Sequence, residues 1–319
     1  MLRIGVNFDI DYITAGLVDE NYKILKKECV PTLKYRSFEV ITKDIAELCI
    51  KLCIDNEIEI TKDIEYIGVA CLGAVDTERG IMIHTSWLED FENAEIVKEL
   101  KKYLKNVDIF VEKIANCYAL AESRIGSTKN YKNSVLVVLG KGISGGIILN
   151  GEIYHGSFYG AGEFGHHVII HDGEECQCGR RGCWSAYASP DAIVREARIM
   201  AIKHPDSILF RMVNGDLRLL SVDLIYSAAA QGGVYAQTVI TNYVKYVALG
   251  LVNIINILQP EAVTIGGSIV REGDTYINMV RDIVREKVFG QEAECRRTKF
   301  LYTDMGNEGV IIGATMLKK

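Results

Sequence analysis

Proline is scarce, four in 319 residues, and no low-complexity stretch divides the chain. Any two domains are therefore expected to be joined by helices rather than by a flexible tether. Long basic runs are missing as well: Lys101–Lys102 and Arg296–Arg297 read as solvated surface charge, and the formal net charge is −6. That balance argues against a nucleic-acid backbone as partner, which needs a basic face. No apolar run reaches membrane-spanning length, since the most apolar stretch, Val247 to Leu258, is broken by Asn253 and Asn256. Met1 leads into Leu2–Arg3–Ile4–Gly5–Val6, a strand pattern rather than a basic head and apolar core, so no signal peptide is read. These absences point to a cytoplasmic protein without a membrane partner. The cysteines do not have the spacing of a secreted disulfide scaffold. Six of the nine, Cys29, Cys49, Cys53, Cys71, Cys117 and Cys295, are scattered through apolar patterns and are expected as reduced core residues.

The other three are clustered. Cys176, Cys178 and Cys183 follow His166 within the stretch EFGHHVIIHDGEECQCGRRGC, residues 163–183. Thiolates and an imidazole are the donor set that tetrahedral zinc prefers, and Gly179 and Gly182 allow the backbone to turn tightly around an ion. Glu163 lies three residues before His166, so one segment offers both a metal site and a polar ligand contact.

Along the chain, apolar runs at 2–8, 12–19 and 22–30 read as a strand meander with a turn at Asp19–Glu20–Asn21. A helix is expected at 38–56 with Ile41, Ile45, Leu48, Cys49 and Leu52 on one face. Strands follow at 64–72 and 107–112, and helices at 93–105 and 115–126. Residues 134–154 repeat the opening: strand, Gly-rich turn, strand, Asn–Gly turn, strand. Helices are read at 190–203, 221–231 and 234–258, the last ended by Gln259–Pro260. Strands at 261–267 and 298–303 and helices at 275–288 and 309–317 complete the chain. A meander running into alternating helices and strands, twice over, implies an α/β protein of two similar domains around a cleft, where small ligands bind.

Four blocks, LGKGISGGIILNGEIYHG, GAGEFGHHVI, CQCGRRGC and INILQPEAVTIGGSIV, resemble the ROK family of sugar kinases and related repressors over essentially the whole chain. The resemblance implies a duplicated actin-like (ribonuclease H-like) ATPase fold. Together with the repeat it divides the chain into an N-terminal domain, 1–118, on which a C-terminal helix at 305–319 docks, and a larger domain, 119–304, carrying the zinc segment 166–183. It implies structural zinc on His166, Cys176, Cys178 and Cys183, sugar contacts from Glu163, His166 and position 113, and anion or nucleotide turns at Gly140–Lys141–Gly142 and Gly266–Gly267. Family kinases use ATP and magnesium on hexoses or N-acetylhexosamines, and homodimers are usual among them.

The chain departs from that pattern where phosphoryl transfer needs a cradle, a magnesium carboxylate and a base. In place of Asp–x–Gly–Gly–Thr it has Asn7–Phe8–Asp9–Ile10–Asp11, without glycines and with added negative charge. Lys141 stands for a Thr, and either attracts an anion or pairs with Asp9 or Asp11. In place of Glu–Asn–Asp–Ala–Asn it has Glu112–Lys113–Ile114–Ala115–Asn116, so the family base becomes Ile114 and a sugar-binding Asn becomes Lys113. Ser185 replaces an expected Glu, and the region near Trp87 departs too.

Three functions follow for comparison. The first is a catalytically impaired family member, a pseudokinase, that binds a sugar or sugar phosphate as a sensor, scaffold or partner subunit. The alternative is an active glucokinase-like hexose or N-acetylhexosamine kinase with a rearranged site, Glu163 as base and Asp9 or Asp11 handling magnesium. Glu112 is expected to point away from such a site. The third, a DNA-binding repressor, lacks the helix-turn-helix that family repressors carry before the first strand.

Overall fold

Strands β1 (Leu2–Phe8), β2 (Tyr12–Val18) and β3 (Ile24–Pro31) form the expected opening meander in a computed structural model that describes residues 1–271, 273–290 and 297–318. Helix α1 (Phe38–Ile54) follows with its five expected apolar residues buried. Then come α2 (Ile60–Asp63), β4 (Ile64–Cys71), a small hairpin of β5 (Ala74–Asp76) and β6 (Ile81–His84), α3 (Ile96–Leu100), β7 (Asp108–Lys113) and α4 (Ile114–Arg124). The second meander is β8 (Ser134–Leu139), β9 (Ile143–Leu149) and β10 (Glu152–Ile153). Helices α5 (Ser185–Ala188), α6 (Pro190–Lys203), α7 (Ile208–Met212), α8 (Val222–Ala230) and α9 (Val234–Leu258) precede β11 (Ala262–Gly267). After it come α10 (Ser268–Arg271), α11 (Asp274–Lys287), β12 (Lys299–Tyr302) and α12 (Gly306–Ala314).

The repeat read from the sequence is a repeat of topology. One five-stranded sheet has the order β3-β2-β1-β4-β7, the other β10-β9-β8-β11-β12. In the first, β1 pairs antiparallel with β2 and parallel with β4, and β4 pairs parallel with β7. In each sheet a three-strand meander is followed by later strands added beside its first strand, as a duplicated α/β fold requires.

The chain divides into two compact units, Met1–Leu136 with Gly145–Gly162 and Met305–Lys319, and Val137–Ser144 with Glu163–Asp304. The sequence-based boundary after residue 118 falls inside α4, which packs whole within the first unit. Its partner there is α12. A Cβ on Gly313 would lie 1.8 Å from the Cys117 carbonyl oxygen, and the Tyr118 hydroxyl accepts from the Gly306 amide at 2.9 Å. On the sheet side, a Cβ on Gly68 would lie 1.8 Å from the Ala314 carbonyl oxygen. Helix and sheet touch backbone to backbone, which glycine alone permits. The opposite sheet face carries Ile4, Val6, Phe8, Ile67 and Val69 against α1, with Phe91 between Phe8 and Phe38 at ring separations of 5.5 and 5.1 Å.

The second unit is built around α9. This helix is long and apolar enough to cross a membrane by composition, yet 61% of its most apolar window is buried inside the fold. Trp184 is fully buried and donates its indole N–H to the Tyr246 carbonyl at 2.7 Å. Gly250 leaves room for the ring, since a Cβ there would sit 2.0 Å from Trp184 Cε2.

Cys49, Cys53, Cys71 and Cys117 are buried as expected, and burial pushes their thiols up, away from reactivity. Cys29 is not a core residue. It is exposed on β3, an edge strand whose outward positions face water. Cys295 and Arg296 lie outside the described residues, while Lys101, Lys102 and Arg297 are exposed.

Candidate functional site

The segment after Glu163 folds because its turns are glycine turns. Gly179 and Gly182 both have φ of +80°, and a Cβ on Gly182 would strike the Ile170 carbonyl oxygen at 1.8 Å. The Cys176 amide donates to the Arg180 carbonyl at 2.8 Å, the Gly179 amide to Cys176 at 2.9 Å, and the Trp184 amide to His167 at 2.9 Å. A short helical turn, Phe164–His166, brings His166 to the same place. Nδ1 or Nε2 of His166 and the three sulfurs of Cys176, Cys178 and Cys183 all lie within 4.8 Å of one another. Cys178 Sγ and Cys183 Sγ are 3.7 Å apart, as are Cys176 Sγ and His166 Nδ1. Tetrahedral zinc with Zn–S of about 2.3 Å puts neighbouring sulfurs ~3.8 Å apart. The donor set and spacing therefore fit a four-coordinate zinc with no open position, a structural rather than a catalytic centre.

The two shifted thiols of the cluster differ in their readiness to ionise. Burial alone pushes Cys178 up, but hydrogen bonds from the backbone and side chain of Arg180 and from the other two thiols outweigh it and bring it down to about 6. Burial pushes Cys183 up to about 12, reinforced by its neighbouring thiols. Beneath the cluster, His167 hydrogen-bonds the Phe164 carbonyl through Nδ1 at 2.5 Å and lies 5.3 Å from the Trp184 ring. Burial lowers the His167 pKa, only partly offset by that carbonyl.

The two glycine turns read as anion sites lie side by side. A Cβ on Gly267, at φ +100°, would be 2.2 Å from the Leu139 carbonyl oxygen, immediately before Gly140. That close approach gives Gly267 a packing role of its own, and Gly266 is buried in β11. The Gly140 amide donates to the Gly142 carbonyl at 2.9 Å. Around Gly142 there is open space, and Lys141 between them is exposed. Backbone can approach an anion at this turn. At the β1–β2 turn it cannot do so in the same way: the Asp9 amide donates to Tyr12 at 3.2 Å and the Ile10 amide to Asp9 Oδ1 at 2.7 Å. A phosphate cradle presents free N–H groups, and these two are engaged within the turn.

At the β7–α4 junction, Asn7, Ala70 and Glu112 stand in register across β1, β4 and β7. Asn7 is 2% exposed, and its Oδ1 has no hydrogen-bond partner among the described residues. Glu112 Oε1 accepts from the Lys113 amide at 2.7 Å and Asn116 Nδ2 at 2.9 Å, and its Oε2 accepts from His155 Nε2 at 2.6 Å. Lys113 donates through Nζ to the Ala161 carbonyl at 2.6 Å. Ile114, the first residue of α4, offers no proton acceptor.

A model of the ROK family matches residues 3–319. The chain belongs to the ROK family. A glucokinase of Thermotoga maritima is 31% identical over 281 residues, 88% of this chain and 86% of the relative. A xylose repressor of Bacillus subtilis is 29% identical, over 90% of this chain and 70% of that protein. The crystal structure of a ROK family glucokinase from Streptomyces griseus in complex with glucose and AMPPNP matches over 99% of both chains, with a TM-score of 0.83 and 28% identity. The duplicated actin-like fold expected from the sequence is thus the fold of this ROK protein.

Within the ROK framework the expected site residues fall into separate groups. The four candidate metal ligands converge, and the Gly140 and Gly267 turns adjoin. Glu163 is exposed at the start of the metal segment. Ser185, where a Glu was expected, accepts from the Ile143 amide at 3.1 Å and lies where a Cβ on Gly165 would be 2.2 Å away. It serves the fold. Two participants escaped sequence reading: Trp184, which anchors the metal loop to α9, and His155, which pairs with Glu112. Trp184 follows Cys183 directly and could have been suspected from that adjacency. Nothing in the sequence joins His155 to Glu112.

Proposed function

We propose that this ROK protein is a sugar-kinase-like protein that binds a hexose or N-acetylhexosamine, or its phosphate, and that its phosphoryl transfer is strongly impaired. The observation that carries this reading is Ile114. A side chain without an acceptor at the β7–α4 junction cannot take the proton of an attacking hydroxyl, and loss of a positioned base costs roughly 10²–10⁴ in rate. Two engaged amides in the Asp9–Ile10 turn support it, because a triphosphate would find fewer free donors there. The residues at that turn do not fit ATP–magnesium, so no step is drawn through it. Zinc on His166, Cys176, Cys178 and Cys183 is assigned a structural role, holding Glu163 and His166 in place beside the sugar.

The relatives speak more strongly for a second reading, an active ATP-dependent glucokinase-like enzyme. The Thermotoga and Streptomyces proteins are both named glucokinase. One experiment separates the two. ADP release is measured with glucose, mannose, N-acetylglucosamine and N-acetylmannosamine, for the wild type and for Ile114→Asp. On the first reading the wild type turns over at background and the variant gains about 10² or more. Robust wild-type turnover, unaffected by Ile114→Asp, establishes the second. A cytoplasmic homodimer without direct DNA contact completes the proposal. Gel filtration and a mobility-shift assay with genomic fragments test those parts.

A further inference from the structure

Glu112 and Lys113 hold a loop to which neither reading above gives a role. They are consecutive residues at the end of β7, and both are buried, to 2% and 4% exposure. Buried charges persist where hydrogen bonds replace the lost water. Here those bonds reach the two ends of one loop. Glu112 Oε2 accepts from His155 Nε2 at 2.6 Å, and Lys113 Nζ donates to the Ala161 carbonyl at 2.6 Å. The loop is closed on itself as well, since the Ala161 amide donates to the His155 carbonyl at 3.0 Å.

The segment between these points would not hold its shape unaided. Gly156 has φ +71° and Tyr159 φ +58°, a conformation that a tyrosine rarely adopts. Gly160 adds freedom, and Phe158 at the tip is 88% exposed and contributes little packing. The His155 and Tyr159 rings lie 5.8 Å apart. Because a carboxylate only accepts, His155 must hold a proton on Nε2, and the remaining two acceptor bonds of Glu112, to the Lys113 amide and Asn116, lock the carboxylate itself.

We infer that Glu112–His155 and Lys113–Ala161 form a two-point clamp on the 155–161 loop, and that His155 is the positioning residue that holds this loop in its left-handed turns. An effect of the clamp on sugar binding rests on the proposed function, while the clamp itself does not. It gives a purpose to a buried charged pair immediately before Ile114: the pair fixes the shape of a loop.

The test uses the full chain and compares wild type with His155→Ala, His155→Gln and Lys113→Met. Hydrogen–deuterium exchange of amides 156–162 reads the clamp directly, and calorimetric titration with glucose reads its consequence. A hydrogen bond to a charged group corresponds to roughly a tenfold or larger change. His155→Ala and Lys113→Met are expected to speed exchange by about that factor, and His155→Ala to weaken glucose binding similarly. His155→Gln keeps an N–H for the same carboxylate and is expected to stay within about threefold of wild type. Unchanged exchange in His155→Ala overturns the clamp. So does a Gln variant as fast as the Ala variant, because ring packing rather than the hydrogen bond would then be responsible. If wild type does not bind glucose, exchange still decides the clamp. If His155→Ala does not fold, the Gln and Met variants decide it.

Discussion

Stripping the metal should loosen one half of the molecule by an amount that can be bounded in advance. The perturbations are a strong zinc chelator and Cys183→Ser. Cys183 is fully buried, so the variant removes a ligand without exposing new surface. The sulfur separation of 3.7 Å between Cys178 and Cys183 is already that of a tetrahedral zinc edge, so binding requires little rearrangement. A ligand that binds only the folded state at a hundredfold excess over its Kd stabilises by ~2.7 kcal/mol. For a domain of 150–250 residues each kcal/mol moves Tm by ~2–4 °C, so removal should lower it by roughly 5–10 °C. Plasma emission spectrometry should find about one zinc per chain in protein prepared without chelator, and scanning fluorimetry reads the shift. Metal loading should weaken as pH falls, because the ligands must be deprotonated and Cys183, pushed up to about 12, has to release its proton to the metal. Protein free of zinc whose Tm ignores added zinc, or a Cys183→Ser variant that retains the metal, refutes the assignment.

Gly250→Ala should destabilise the protein by about 1–3 kcal/mol, read as a lower urea midpoint, because the new Cβ meets the buried Trp184 ring at 2.0 Å. An unchanged midpoint would show that the indole can move aside. Arg3→Met tests a salt bridge of 2.9 Å to Glu65 whose side chains are 20% and 22% exposed. The hydrogen bond from Arg3 holds Glu65 below its ordinary value of 4.5, so its stabilisation is present above that pH and is lost as pH falls through the lower folded-state pKa. The wild type should therefore exceed the variant by at most ~1 kcal/mol near neutrality, and thermal melts should converge in acid. A gap that persists below the folded pKa would rule out this linkage.

What could be read in advance followed the range of the interaction. Helix α9 was placed at 234–258, where it lies, because its period and the Gln259–Pro260 stop are local signals. The convergence of His166, Cys176, Cys178 and Cys183 was legible for the same reason, all four falling within eighteen residues of sequence. The β5–β6 hairpin was missed: strands of three and four residues carry too little alternation and are held by pairing with each other and with Ala94. A helix expected at 93–105 is regular only over Ile96–Leu100 and continues as turns, since apolar spacing does not record where regular hydrogen bonding stops. Cys29 was misplaced because alternation cannot tell an edge strand from a central one. Glu112 and His155, 43 residues apart, meet through the fold alone.

The first compact unit opens with β1 but is completed by α12, which its own Gly309 and Gly313 seat on α4 and which Gly5 of β1 and Gly68 of β4 admit to the sheet. Everything from Glu163 to Asp304 belongs to the other unit and emerges in between. During synthesis the second unit can close as soon as its own residues are available, while the first must wait with one face of its sheet uncovered. The half that is made first is therefore finished second, and the glycine-lined face of β1 and β4 stays uncovered on the nascent chain until α12 is made.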